Sequence, residues 1–251
     1  MVAAGRIVLW DFDGVLADTL GECYEVTRAT ISQNVARIAA ETKAPLAPYP
    51  LEEFAGDRPN AVNAADFFAH FLSRRKYGSV GAADLEKTGT ECRDLIAFLD
   101  GEYYLQRESL AKRLGREYYR MLRPYPGVLD AVTELHGSGV LQAVMTARDS
   151  ASVQGWLAHY GVRECFQAVV GTEVSRADRH VKGQQAVLLK NQLGAGEYFF
   201  VDDIVHNLEV VGAADPAIRL VFAAWGYGKI APKFAAVAES PRDVLRLLAN
   251  P

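Results

Sequence analysis

Ile7-Val8-Leu9-Trp10 is an apolar run that stops at Asp11, with Asp13 and Gly14 close behind. A short continuous run of this kind, closed by turn-forming residues, predicts a fully buried strand running into a loop. Asp18 is placed to cap a helix after that loop. From about Leu20 to Arg123 the apolar positions recur at helical spacing. They are Val26, Ile31, Val35 and Ile38, then Phe67, Phe68, Phe71 and Leu72. Between Asp94 and Leu122 come Leu95, Phe98, Leu99, Leu105, Leu110 and Leu114. Pro45-Leu46-Ala47-Pro48-Tyr49-Pro50 interrupts the periodicity and predicts a loop. No strand pattern is visible here, so residues 20–123 read as an all-helical insert.

After Pro124-Tyr125-Pro126-Gly127 strands and helices alternate. The pattern predicts a helix over Val128–Leu135, a strand over Val140–Met145, a helix over Ala151–His159 and a strand over Phe166–Val170. A helix over Gln184–Gln192 and strands over Tyr198–Val201, Arg219–Ala223 and, weakly, Ala235–Ala238 follow. Ser240-Pro241 supplies an N-cap and a first-turn proline for a last helix. Repeated strand–helix units of this length imply an α/β fold, a Rossmann-like parallel sheet with helices on both faces. The expected core is 1–19 and 124–251, interrupted by the helical segment 20–123.

Composition narrows the function classes. The 251 residues are half hydrophobic, with 27 Lys plus Arg against 31 Asp plus Glu and a net charge of −4. This balance gives no footprint for nucleic acid. The apolar stretch ending at Asp11 is too short for a signal segment and no later one reaches a membrane span, so a cytoplasmic protein is expected. Cys23, Cys92 and Cys165 fit neither a disulfide framework nor a zinc site. His70, His136, His159, His180 and His206 show no metal-ligand spacing. Nothing in the pattern sets an oligomeric state.

In open parallel sheets ligands bind at the carboxyl ends of the strands, near the point where strand order reverses. The polar groups at the expected strand ends are Asp11 and Asp13, Thr146, and Asp202 with Asp203, joined by Lys182 on the loop before a helix. Together they suggest a phosphate and metal site. Taken singly each has a plainer reading: Asp13-Gly14 as a turn, Thr146 as an ordinary strand end, Asp202-Asp203 as helix caps, Lys182 as one solvated lysine among many. Lys190 is the rival to Lys182, but it lies inside the expected helix and only thirteen residues before Asp203.

These residues carry a family resemblance. Asp11-Phe12-Asp13-Gly14-Val15-Leu16-Ala17-Asp18-Thr19 closely resembles the first motif of the haloacid dehalogenase superfamily, and Val144-Met145-Thr146 looks like its second. Lys182 fits the third, and Val201-Asp202-Asp203-Ile204-Val205-His206-Asn207 is similar to the acidic fourth. Pro124-Tyr125-Pro126-Gly127 and Trp225-Gly226-Tyr227-Gly228 also recur in the phosphoglycolate-phosphatase-like branch. The resemblance covers residues 5–19 and 124–250, and the helical insert stands where that branch carries its cap domain.

The resemblance implies a magnesium-dependent phosphomonoester hydrolase acting on a small phosphorylated metabolite. Asp11 would attack phosphorus and Asp13 would serve as general acid and base. Thr146 and Lys182 would hold the transferring oxygens, with loop N–H groups at Phe12, Gly14 and Ala147 adding donors. Asp11, Asp203 and the backbone carbonyl of Asp13 would hold Mg²⁺. The family often has Gly at the Asp202 position and Asp at the Asn207 position. Either residue is therefore a candidate to complete the metal shell, while Asp202 can instead orient Lys182 and Asn207 can cap a helix. Arg148 and Arg58, the latter in the turn Gly56-Asp57-Arg58-Pro59-Asn60, are substrate-contact candidates whose plainer readings are a surface salt bridge and an exposed loop arginine. A phosphomutase with the same aspartate, or a binding protein that lost turnover, remain the alternatives.

Overall fold

The computed structural model describes residues 5–43, 47–171 and 181–249. Pro45 and Leu46 of the expected loop, and His180, lie outside the described residues. Along the chain come β1 (Arg6–Trp10), β2 (Ala17–Asp18), α1 (Leu20–Gln33), α2 (Val35–Thr42), α3 (Leu51–Asp57) and α4 (Ala64–Tyr77). Then follow α5 (Ala82–Glu91), α6 (Arg93–Leu114), α7 (Arg116–Met121), β3 (Arg123–Pro124), α8 (Val128–Gly137), β4 (Leu141–Met145), α9 (Ser150–His159) and β5 (Ala168–Val170). The last elements are α10 (Val181–Leu193), β6 (Glu197–Asp202), α11 (Val205–Ala214), β7 (Arg219–Ala223), β8 (Ala236–Ala238) and α12 (Pro241–Ala249). The chain divides into two compact units, 1–19 with 122–251 and 20–121.

The first unit is built on a six-stranded sheet in the order β5-β4-β1-β6-β7-β8, every pair parallel. Both faces are covered, which is why β1 reads as an unbroken apolar run. Ile7 and Leu9 pack with Ala186 and Leu189 of α10 and with Leu208 and Val211 of α11. Val8 and Trp10 point to the other face and are equally buried. α10 and α11 lie close together because Gly183 has no side chain: a Cβ there would come within 3.0 Å of the Ala214 Cβ. At α12, Ser240 donates from both its N–H and its hydroxyl to the Asp243 carboxylate, a reversal of the expected hydroxyl cap.

Three expectations are corrected. Arg123, assigned to the helical insert, instead belongs to β3, which pairs antiparallel with β2 in a separate two-residue ribbon. Pro124 has no N–H to donate, so such a strand exists only as an edge. Asp18 is a ribbon residue and accepts a hydrogen bond from the Tyr227 hydroxyl at 3.1 Å. Lys182 does not lie on a loop: it is in the first described turn of α10.

Among the described residues the elements of the second unit are all helices, with an aromatic core of Tyr49, Phe54, Phe67, Phe68, Phe71 and Tyr103 beside Val26, Ile38, Leu95 and Leu99. Along α6 the buried stripe is Leu95, Leu99, Tyr103 and Arg107, a strict four-residue repeat. Leu105 falls on the opposite face and is exposed, as is Val35. Arg107 is tolerated in the stripe because Glu22 of α1 is buried against it, with Nε to Oε1 at 2.9 Å. The Tyr118 hydroxyl donates to the same carboxylate oxygen at 2.8 Å, so one carboxylate ties α1, α6 and α7. Asn63 and Asp66 form a reciprocal capping box at the start of α4.

Candidate active site

Register brings the site together. Trp10 aligns with Val144 of β4 and Val201 of β6, so the residues just beyond these positions emerge side by side at one sheet edge. They are Asp11, Thr146, Asp202 and Asp203. Strand order reverses at β1, with β4 and β5 on one side and β6 to β8 on the other. This is the crevice in which open α/β sheets bind ligands.

Asp11, Asp202 and Asp203 are all buried, and one oxygen from each lies within 4.8 Å of the others. Lys182 reaches into the group from α10, with Nζ 2.5 Å from Asp11 Oδ1, 2.5 Å from the Met145 carbonyl and 3.7 Å from Asp202 Oδ2. Burial raises the Asp11 carboxyl above its ordinary value, opposed by Lys182 and reinforced by the charge of Asp13. Asp202 is raised further, first by burial, then by the neighbouring Asp11, again opposed by Lys182. Among the described residues, Lys182 is the lysine that pairs with both Asp11 and Asp202. Lys190, the rival, sits away from this group and pairs with Asp215.

Asp203 is held by backbone. Its Oδ2 accepts the Tyr227 N–H at 2.6 Å and the Gly228 N–H at 3.4 Å. Three glycines make room for it. A Cβ on Gly14, which has φ +96°, would stand 2.5 Å from Asp203 Oδ2, and one on Gly226 or Gly228 would collide with Asp203 itself. The Trp225 indole donates to the Val15 carbonyl at 3.0 Å, fastening this loop to the one after β1. Tyr227 is thus a site residue that side-chain reasoning missed; its signal was the Trp225-Gly226-Tyr227-Gly228 motif. Gln185 was missed as well. From α10 it donates to the Thr146 and Gly171 carbonyls at 2.8 and 3.0 Å, holding the ends of β4 and β5.

Asn207, in the first turn of α11, donates to both oxygens of Asp202 at 3.2 and 3.0 Å. Its own Oδ1 is buried without a hydrogen-bond partner among the described residues. Arg148 is fully buried rather than on the surface, and its Nη2 donates to Asp13 Oδ1 at 2.7 Å. Thr146 Oγ1 accepts the Arg148 N–H at 3.0 Å. The Phe12 side chain is buried against Trp156, so only its backbone is available to a ligand. Gly14 is buried and Ala147 half-buried at the same strand ends. Arg58 belongs to the helical unit. It is buried, not exposed, and donates to the Ala61 carbonyl at 3.0 Å.

The model of a hydrolase family, the haloacid dehalogenase-like hydrolases, matches residues 6–215. The chain belongs to that family. No curated protein matches it significantly. Among solved structures, a predicted phosphoglycolate phosphatase from Haemophilus somnus shares the fold at TM-score 0.63 and 17% identity, covering 97% of each chain. A haloacid dehalogenase-like hydrolase from Streptococcus pneumoniae gives 0.64 at 14% identity, over 96% of this chain and 97% of that one. CbbY from Rhodobacter sphaeroides, solved as an Asp-to-Asn variant with xylulose 1,5-bisphosphate, gives 0.64 at 16% identity, over 96% and 95%.

The haloacid dehalogenase-like fold here can accommodate a cation. Three buried carboxylates gather oxygen atoms within 4.8 Å of one another, and hard divalent cations take oxygen ligands of this kind. The Asn207 Oδ1, unpartnered among the described residues, adds a buried acceptor beside Asp202.

Proposed function

We propose that this chain is a magnesium-dependent phosphomonoester hydrolase that works through a phosphoryl-aspartate on Asp11. The observation that carries the reading is the convergence of Asp11, Lys182, Asp202 and Asp203 at adjoining ends of β1, β4 and β6. A phosphoester repels a carboxylate nucleophile, and Mg²⁺ held by Asp11, Asp203 and the Asp13 carbonyl would offset that repulsion. An oxygen of Asp11 attacks phosphorus while Lys182 and the Thr146 hydroxyl neutralise the oxygens in flight. Asp13 protonates the departing ester oxygen, then takes a proton from the water that hydrolyses the acyl-phosphate. Asp202, bonded to Asn207 and the Ile204 N–H, serves chiefly to orient Lys182.

A small phosphorylated metabolite is the substrate class we infer, since a bisphosphate sugar occupies one fold neighbour. We assign the helical unit 20–121 the role of cap, with Arg58 a candidate contact to substrate. The three free buried cysteines suit a cytoplasmic setting. Among the described residues no helix is long and apolar enough to cross a membrane.

The test is phosphate release from a panel of phosphomonoesters by purified protein with Mg²⁺, against the same panel in EDTA. Release that chelation abolishes and Mg²⁺ restores is the expected result. Turnover unaffected by chelator removes the metal from the reading, and no release from any ester removes the activity.

A further inference from the structure

We propose that Arg148 is a positioning residue for Asp13, fixing the direction in which that carboxylate meets the ester oxygen. The inference rests on the reading of Asp13 as general acid and goes one residue beyond it. Asp13 sits on the loop after β1, its side chain partly open to solvent, where a carboxylate would ordinarily sample several rotamers. Arg148 restricts that freedom. Its guanidinium meets Asp13 edge-on, Nη2 at 2.7 Å from Oδ1 and Nε at 3.3 and 3.4 Å from the two oxygens. A planar fork fixes both the position and the plane of a carboxylate, which an ammonium does not.

Arg148 is itself fixed. Its side chain is fully buried, and its guanidinium lies 5.6 Å from the centre of the Phe12 ring. Phe12 is in turn held edge-on by Trp156 at 5.1 Å. The Arg148 N–H is anchored on the Thr146 hydroxyl oxygen, so the residue that would hold the transferring phosphoryl also sets where Arg148 begins. The chain of contacts runs from Trp156 through Phe12 to Arg148 and ends on the acid.

In the step served, an Asp11 oxygen bonds to phosphorus and the bond from phosphorus to the ester oxygen breaks. The proton on Asp13 passes to that oxygen, releasing the alcohol. A leaving group that is already a stable anion needs no such proton. Leaving-group dependence therefore separates a role through Asp13 from direct phosphate binding or simple folding support.

The experiment compares glycerol phosphate with p-nitrophenyl phosphate for wild type, Arg148→Gln, Arg148→Lys, Asp13→Asn and the Asp13→Asn/Arg148→Gln pair. The readout is kcat/KM, which reports transfer to the enzyme. Arg148→Gln is expected to lower kcat/KM on glycerol phosphate by about 100-fold, the lower range for loss of general acid catalysis, and on p-nitrophenyl phosphate by less than about threefold. Arg148→Lys should fall between, keeping charge without the fork. In the Asp13→Asn background Arg148→Gln should cost nothing further. Equal losses on both esters, or a full additional loss in that background, overturn the proposal. Should Arg148→Gln not fold, the Lys variant carries the same comparison, and a loss equal on both esters is again fatal. An Asp11→Asn protein that still turns over would sink the phosphoryl-aspartate reading instead, whatever Arg148 does.

Discussion

Asp11 illustrates how much a single carboxylate depends on its surroundings. Burial alone disfavours its charged, reactive form, while Lys182 at 2.5 Å favours the anion that can attack. Asp11→Asn keeps the shape and removes the nucleophile, so turnover should fall to background while circular dichroism stays unchanged. A variant that retains more than a few per cent of its activity would contradict the assignment. Asp203 gives a second test. A methyl group on Gly226 would collide with it and with the Gly14 carbonyl, displacing the carboxylate without touching its chemistry. Gly226→Ala should raise the Mg²⁺ concentration needed for half-maximal rate by about 10- to 100-fold, the usual cost of disturbing what orients a ligand. The acids, Thr146 and Lys182 were legible because their side chains carry the signal. Tyr227 was not, since what it gives Asp203 is a backbone N–H that any residue but proline possesses.

At the scale of elements, legibility followed length and burial. β1, β4 and β6 announce themselves as apolar runs, because a strand covered on both faces has no polar side to show. β2 and β3 are two residues each, too short to carry any period. α11 carries few polar residues to mark an exposed face, so Val205–Ala214 gave no helical stripe, and Asn207 read as a helix cap rather than a residue inside the first turn. Gly183 hid the start of α10 and so misplaced Lys182: it reads as a breaker, whereas in the fold it allows α11 to approach. The helical unit offers a prediction of its own. Glu22 is completely buried and draws on Arg107 and Tyr118 from two other helices. Arg107→Met strips the guanidinium from a carboxylate that water cannot reach, which should cost about 3–5 kcal/mol. Changing Glu22→Gln alongside should recover a good part of that loss. Urea unfolding followed by far-ultraviolet dichroism, with the helical unit as the main contributor, measures both. A loss below about 1 kcal/mol in the single variant would mean that the pair is not what ties α1, α6 and α7.

For the whole molecule, the metal should appear as stability confined to one unit. Asp11 and Asp202 have carboxyls raised above the ordinary 3.8, so the folded chain keeps protons that the unfolded chain has released. Without metal, stability therefore falls as pH climbs from about 4 through the raised values. Mg²⁺ binds the deprotonated form and displaces those protons, so the stability it adds must grow over the same interval. At a hundredfold excess over its dissociation constant the gain is about 2.7 kcal/mol, or roughly 5–10 °C in melting temperature for a domain of this size. The chain provides its own reporter: Trp10, Trp156 and Trp225 are its only tryptophans, and all three lie in the sheet-containing unit. Tryptophan fluorescence melts in EDTA and in Mg²⁺ should separate clearly at pH 7.5 and converge towards pH 5, and Asp203→Asn should abolish the separation. Superimposed curves at pH 7.5 would leave the acids at the ends of β1 and β6 without the cation that their crowding calls for.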